Sequence, residues 1–158
     1  MKTKYTKAQV IMEVIAFLLL VGMFVFVFVQ WNGLPEKIPG HYNAAGEVDR
    51  WGSKNEILFL PIVATLLYGL LSVVSFFPSI WNIPVKVTDE NRSAVYQCMK
   101  DLLIIMKVEV LIVFFFITYF ISASKPLPAA FLPVLIIILL GTTGFLIHQT
   151  TRIGKEQS

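Results

Sequence analysis

Charged residues are scarce in this chain. Asp, Glu, Lys and Arg make up 15% of its 158 residues, whereas a soluble globular domain carries about 25%. Hydrophobic residues make up 56%, and the mean hydropathy is +0.74. The chain therefore lacks the polar side chains that a water-facing surface needs, and its hydrophobicity also excludes an intrinsically disordered protein. The composition predicts an integral membrane protein, and the length allows one small domain.

Cysteine is nearly absent as well. The single cysteine, Cys98, excludes an intrachain disulfide and a metal site built from several cysteines. The sequence has no motif for a nucleotide, a haem, a flavin or a serine nucleophile, so we expect a protein without a cofactor that is not an enzyme. The 13 Lys and Arg residues only slightly outnumber the 10 Asp and Glu residues, and they are dispersed. The charge therefore predicts no nucleic-acid partner.

Four apolar stretches are each long enough to cross a bilayer, which takes about 20 helical residues. They cover residues 10–29, 57–77, 102–121 and 129–147. We predict an all-α membrane protein with a single domain, residues 1–158, in which four transmembrane helices form a bundle. A structured outer loop, residues 31–56, joins helices 1 and 2, and a cytoplasmic segment covers residues 78–101.

The distribution of Lys and Arg predicts the orientation, because cytoplasmic segments carry an excess of these residues. With the N-terminus in the cytoplasm, eight of them fall inside and four outside. The inner residues are Lys2, Lys4, Lys7, Lys86, Arg92, Lys100, Arg152 and Lys155, and the outer ones are Lys37, Arg50, Lys54 and Lys125. We therefore expect a multi-pass protein with both termini in the cytoplasm.

The outer loop is rich in residues that form turns. Four glycines and two prolines fall within it, at Gly33, Gly40, Gly46, Gly52, Pro35 and Pro39. Apolar residues that we expect to anchor the loop lie between them, at Leu34, Ile38, Tyr42, Val48 and Trp51. This composition is typical of a compact folded loop rather than a linker. Ser53 and Glu56 then form the Ser-x-x-Glu pattern of a capping box at the start of the second span.

His41 and Asp49 are the candidate metal ligands of the loop, with Asn43 or Glu47 assisting. A catalytic zinc usually has three protein ligands, and the loop contains one histidine. We therefore favour the alternative, in which His41 and Asp49 form hydrogen bonds with the loop's own backbone and no metal is bound.

The basic residues of the loop also allow two interpretations. Arg50 and Lys54 bind a lipid phosphate at the outer leaflet, or their stems cover apolar surface while their charges reach water. The second interpretation is the more common behaviour of such residues at a membrane interface.

Two patterns carry a resemblance to a known family. The first is Leu34-Pro-x-x-Ile-Pro-x-His41-x-Asn43-x-x-Gly46-x-x-Asp49-x-x-Gly52-Ser-Lys54 in the outer loop. The second is Ile83-Pro84-Val-x-x-Thr88-x-Glu90-Asn91-x-x-x-x-Tyr96 after the second span. Together they resemble the bacterial membrane domain of unknown function 1648, which also forms the N-terminal part of the SdpI-type toxin-immunity proteins.

The resemblance covers about residues 10–123 and implies a protein of the bacterial cytoplasmic membrane. It further implies that the outer loop recognises a peptide, a toxin or an envelope lipid. The binding candidates are then His41, Asn43, Gly46, Asp49, Gly52 and Lys54. The cytoplasmic motif consists of Pro84, Thr88, Glu90, Asn91 and Tyr96.

Ionisable residues inside apolar spans are costly, so each of them needs a partner or a function. Glu13, Lys107, Glu109 and His148 all fall near the cytoplasmic edge of their spans. Lys107 and Glu109 lie about 200° apart around a helix, so they cannot face the same partner. We expect a structural ion pair between Glu13 and Lys107. A pathway for protons or a ligand, and charges that reach the surface, stay open as alternatives.

The sequence thus favours a non-enzymatic membrane protein that binds a peptide, a toxin or an envelope lipid through its outer loop. One alternative is a small transporter or accessory subunit that uses the buried charges. Another is a membrane-embedded metal-dependent enzyme that uses His41 and Asp49. The expected partners are the lipid bilayer and a peptide, toxin or protein, and the oligomeric state stays open.

Overall fold

The computed structural model describes residues 4–156. Its helices and strands are α1 (Lys7–Gln30), β1 (Lys37–Tyr42), β2 (Val48–Ser53), α2 (Phe59–Ser75), α3 (Arg92–Ser122) and α4 (Phe131–Glu156). Short 3-10 helices cover Trp31–Gly33, Lys54–Leu58 and Pro78–Ile80. Helices α1, α2, α3 and α4 are each long and apolar enough to cross a membrane, which confirms the predicted fold of four membrane helices. Lys2, which was counted for the orientation, lies outside the described residues.

Helix α3 is the centre of the bundle, because α1, α2 and α4 each pack against it. A buried cluster at mid-height joins Ala16, Leu20 and Met23 of α1 to Ala64 of α2 and Val108 and Leu111 of α3. Small residues at such contacts let helix backbones approach closely in a membrane, where packing rather than water drives association. The outward faces of the helices stay apolar, as contact with lipid requires.

Side-chain caps determine where two of the helices begin. The predicted capping box is present: the Ser53 amide donates to Oε1 of Glu56 at 3.1 Å, and the turn that it opens leads into α2. Before α3, the Thr88 amide donates to Oδ1 of Asn91 at 2.9 Å, and the Asn91 amide donates to Oγ1 of Thr88 at 3.2 Å. These bonds satisfy amides that the first turn leaves unpaired, and this turn leads into α3, which begins at Arg92.

The outer loop contains a β-hairpin, which the all-α prediction lacked. Strands β1 and β2 pair antiparallel, and the register is irregular on both sides of His41. The irregularity and the residues Pro39 and Gly40 remove the alternation of apolar and polar residues that normally reveals a strand. A short hairpin with this composition therefore looks like a series of turns when only the sequence is considered.

The hairpin is anchored on the end of the bundle that we call the hairpin end, opposite the terminal end where α1 begins. Leu34 and Ile38 are buried there against Val27, Ile57 and Ile121, as expected for anchors of the loop. Trp51 was also expected to be an anchor, but its side chain is 54% exposed. The hairpin is therefore held by the residues that precede and begin β1, while β2 faces outward.

The terminal end has its own buried cluster. Val95, Cys98, Met99 and Leu102 lie on one face of α3, and Leu146 of α4 packs against them. Cys98 is buried, and its sulfur accepts a hydrogen bond from Oγ1 of Thr150 at 3.1 Å. This cluster connects α4 to the N-terminal third of α3.

Candidate functional site

A cavity of about 630 Å³ lies between the hairpin and the hairpin ends of α2, α3 and α4. This hairpin cavity has a polar wall formed by residues 39–44, Gly46, Arg50 and Glu56. Its floor is apolar and consists of Phe59, Leu60, Ile117, Ile121, Leu127, Pro128, Phe131 and Leu132. Phe59 and Leu132, at its two sides, are themselves exposed on the apolar outer surface. The cavity thus connects a polar wall to an apolar floor formed by the hairpin ends of α2, α3 and α4.

Asn43 organises the turn between the two strands. Its Oδ1 accepts hydrogen bonds from the amides of Ala45 at 2.9 Å and Glu47 at 3.0 Å, and its Nδ2 donates to Oε2 of Glu47 at 2.9 Å. Asparagine is suited to this role because its short side chain can bond to the backbone of the residues that follow. Asn43 lines the hairpin cavity, but its side chain is engaged in shaping the wall.

Two contacts fasten the tip of the hairpin to the loop between α3 and α4. The Leu127 amide donates to the carbonyl of Gly46 at 2.8 Å, and the hydroxyl of Tyr42 donates to the carbonyl of Lys125 at 3.0 Å. Gly46 has a φ of +85°, and a Cβ there would lie 2.5 Å from the carbonyl oxygen of Leu127. A residue with a side chain would therefore be strained and would push the two loops apart. Burial raises the pKa of Tyr42 to about 12.

Arg50 is the cation of the cavity wall. Its Nη2 donates to the carbonyl of Gly40 at 2.7 Å and to Oε2 of Glu56 at 2.8 Å. The Glu56 carboxylate, which also caps Ser53, raises the pKa of Arg50. Gly52 leaves the space that this carboxylate occupies, since a Cβ there would collide with it. The guanidinium group has five N–H donors, and both of these bonds use Nη2, so the other donors are free to bind a ligand.

His41 and Asp49 form an exposed pair at the rim. Nδ1 of His41 donates to Oδ1 of Asp49 at 2.6 Å, and the two side chains are 65% and 43% exposed. Neither Asn43 nor Glu47 joins them, because those two side chains bond to each other. Between residues 4 and 156 there is no group of three or more His, Cys, Asp or Glu residues arranged to hold a metal ion. The expected bonds to the loop backbone are therefore replaced by one bond between the two side chains, across the two strands.

The structure brings only some of the predicted binding residues together. His41, Asn43 and Gly46 line the hairpin cavity, whereas Asp49, Gly52 and Lys54 do not. Lys54 instead lies 3.7 Å from Glu36 and 5.4 Å from the ring centre of Trp31. Glu56 and the apolar floor also belong to the site, although neither was among the binding residues predicted from the sequence. The capping box pointed to Glu56, but no pattern in the sequence joined the hairpin to α4.

The second motif, which the sequence predicts to be cytoplasmic, forms a turn before α3. Asn91 is fully buried, and its Nδ2 donates to the carbonyl of Lys86 at 3.0 Å, in addition to its bonds with Thr88. Tyr96 packs against Trp81 with the ring centres 5.7 Å apart. Pro84 and Glu90 are exposed. The buried members of the motif thus hold the segment between α2 and α3 against the bundle.

The intramembrane charges separate onto different sides of α3. Nζ of Lys107 lies 2.8 Å from both carboxylate oxygens of Glu13, so the structure contains the expected ion pair. Glu109 faces α4 and lines a groove there. His148 is exposed on α4 and does not join the pair. The four residues lie at a similar depth but do not form one cluster, because their side chains point in different directions around the bundle.

Comparisons with known proteins support the first of the two patterns, and they do not show the link to the SdpI-type proteins. Residues 18–65 match the family described as "Domain of unknown function (DUF1648)", which confirms the family predicted from the loop for this segment. A relative from Archaeoglobus fulgidus, described as an uncharacterized protein, is 30% identical over 101 residues. These residues cover 55% of this chain and 54% of the relative, so the chain spans about half of that protein's length. No solved structure matches the chain.

Proposed function

We propose that this protein is a non-enzymatic membrane protein that binds an anionic envelope lipid in the hairpin cavity. The acyl chains lie on the apolar floor, and the headgroup phosphate contacts Arg50. One observation carries the proposal: the cavity joins an apolar floor, bordered by exposed apolar residues, to a guanidinium group with free donors. Its volume of about 630 Å³ falls within the range of roughly 300–1,000 Å³ that is typical of small-molecule sites.

The chemistry of the wall favours an anionic group. Arginine binds phosphate through several parallel N–H donors, and such charge-assisted hydrogen bonds are stronger than neutral ones. Glu56 and the Gly40 carbonyl hold the guanidinium in place through Nη2, so that little side-chain freedom is lost when a ligand binds. His41 adds a second polar group at the rim, where it is exposed to solvent.

The proposal places the protein in a bacterial plasma membrane, with the hairpin outside and both termini in the cytoplasm. The excess of Lys and Arg on the terminal side supports this orientation. It is tested with single cysteines at the exposed positions Ala45, in the hairpin, and Asp89, before α3, in a Cys98→Ser background. A membrane-impermeant maleimide should label Ala45→Cys in intact cells and Asp89→Cys only in inverted vesicles. The reverse result would place the hairpin inside.

Native mass spectrometry of the purified protein tests lipid binding. The protein is delipidated and then supplied with equal amounts of phosphatidylglycerol, which is anionic, and phosphatidylcholine, which is zwitterionic. We expect one phosphatidylglycerol to be retained preferentially. Arg50→Ala should lower this preference about tenfold or more, because it removes a charge-assisted contact. Lys37→Ala serves as the matched control, since it removes a charge from the same hairpin outside the cavity.

A second pair of variants leaves Arg50 unchanged, so its result does not depend on how the Arg50→Ala substitution affects the structure of the hairpin. Leu132→Trp fills the cavity floor and should prevent lipid retention, whereas Leu140→Trp, on the exposed face of α4, should not. Equal retention of both lipids by all four variants would contradict the proposal. If lipid binding is unspecific but expression confers Arg50-dependent resistance to an amphipathic peptide, the ligand is a peptide, as the SdpI resemblance implies.

A further inference from the structure

A second cavity lies beside the hairpin cavity, and the two share the lining residues Pro128 and Phe131. It has a volume of about 380 Å³ and occupies the groove between α3 and α4, from Glu109 to the α3–α4 loop. Glu109, Ile112 and Phe116 line one side, and Phe131, Leu135 and Ile138 line the other. The rings of Phe116 and Phe131 stack, with their centres 5.3 Å apart. Apart from Glu109, the side chains that line this α3–α4 groove carry no polar atom.

Glu109 lacks a partner in this groove. Its Oε2 is buried, and no atom of the described residues forms a hydrogen bond with it. The neighbouring Lys107 does not serve, because it points to the opposite side of α3 and bonds to Glu13. A buried carboxylate oxygen without a partner is unfavourable, and it strongly favours any cation or donor that reaches it. We therefore expect the α3–α4 groove to hold a ligand that contacts Glu109.

We infer that the α3–α4 groove binds a lipophilic amine, with the alkyl part between the two helices and the ammonium group on Glu109. Charge complementarity identifies the occupant: an acyl chain alone would fill the apolar length but would leave the carboxylate unpaired. The ammonium supplies the donors and the charge that the rest of the groove lacks. This site borders the hairpin cavity at Pro128 and Phe131 but has a different polar group, because neither Arg50 nor any strand residue lines it.

Two photoreactive probes test the inference. Both carry a dodecyl chain with a diazirine, and they end in a primary amine or in a hydroxyl group. The protein is placed in phosphatidylcholine nanodiscs, illuminated, and the labelled residues are mapped by peptide mass spectrometry. We expect the amine to label the residues of α3 and α4 that line the groove. In the Glu109→Gln variant, the same labelling should require an amine concentration at least tenfold higher. The alcohol should label both proteins equally.

A matched pair on α4 separates binding from folding. Leu135→Trp fills the groove and should prevent labelling by the amine, while Ile137→Trp, on the exposed face, should leave it unchanged. The inference is overturned if the amine and the alcohol label the groove equally, both in the unmodified protein and in Glu109→Gln. The groove would then bind alkyl chains regardless of their end group. Groove labelling that appears only after a dimer is dissociated would identify a second copy as the occupant, which also overturns it.

Discussion

The buried pair of Glu13 and Lys107 allows a quantitative prediction. Glu13→Gln removes the negative charge and Lys107→Met removes the positive one, each with little change in volume. The two side chains differ in burial: Lys107 is 1% exposed, and Glu13 is 22% exposed. We therefore expect the two single substitutions to have unequal effects on the free energy of unfolding.

The structure predicts the order of these effects. In Glu13→Gln, the ammonium of Lys107 stays buried with the Tyr68 ring 5.0 Å away, and we expect a loss of about 3–5 kcal/mol, as for other broken buried pairs. In Lys107→Met, Glu13 is left in a partly open cavity that Tyr5 and Ser72 also line. Its carboxylate can be hydrated there, so the loss should be smaller, about 1–3 kcal/mol. The double variant should recover roughly 2–3 kcal/mol of the summed losses.

The assay is equilibrium unfolding in mixed detergent micelles, followed by circular dichroism, for the four members of the double-mutant cycle. Asp89→Asn and Arg92→Met provide a control cycle. This exposed pair has a similar distance of 2.7 Å, but a surface pair contributes only about 0.2–1 kcal/mol. The contrast between the two cycles isolates the effect of burial.

Three results would refute this reasoning. Additive losses would show that Glu13 and Lys107 are not coupled in the membrane protein. A larger loss for Lys107→Met than for Glu13→Gln would show that burial does not determine the cost. If both single variants are stable and a transport activity of the protein is lost, the pair belongs to a pathway rather than to the scaffold.

Three further predictions concern the hairpin and the cysteine. Gly46→Val should increase proteolytic cleavage of the hairpin, while Ala45→Val, at an exposed position in the same turn, should not; equal cleavage would contradict the role of the positive φ. Cys98 should resist maleimide in detergent until the protein unfolds, because it is buried, and rapid labelling would show an open cluster. In an alkaline absorbance titration, the absorbance change near pH 12 should be smaller in Tyr42→Phe than in the unmodified protein. Because its pKa is raised from 10.0, this tyrosine's contribution to stability should persist below about pH 10 and disappear as the pH rises towards 12; ionisation at the ordinary pH would contradict its burial.

The membrane helices could be predicted from the sequence because lipid imposes a simple constraint. A spanning segment must satisfy its own backbone hydrogen bonds, so a long apolar run forms a helix. The pair of Glu13 and Lys107 was also predictable, since few charges lie inside the spans and each needs a partner. The angle between Lys107 and Glu109 correctly placed them on different sides of α3.

The hairpin cavity could not be predicted in the same way. Its wall depends on a register irregularity beside His41 that has no repeating pattern in the sequence. Its closure depends on a bond between Gly46 and Leu127, which lie far apart in the chain. The glycine was recognised as a turn residue, but nothing in the local sequence indicates which loop approaches it. Long-range packing of this kind requires the three-dimensional structure.

Photocrosslinking with a lipid tests the central claim most directly. Phosphatidylglycerol with a diazirine near the end of one acyl chain is incorporated into nanodiscs with the protein, and the labelled residues are mapped by mass spectrometry. The account predicts labelling concentrated on the cavity floor, at Ile117, Leu132 and their neighbours, and its loss in Leu132→Trp but not in Leu140→Trp. Labelling spread evenly over the exposed faces of α1, α2 and α4, and unchanged by Leu132→Trp, would contradict a lipid site under the hairpin.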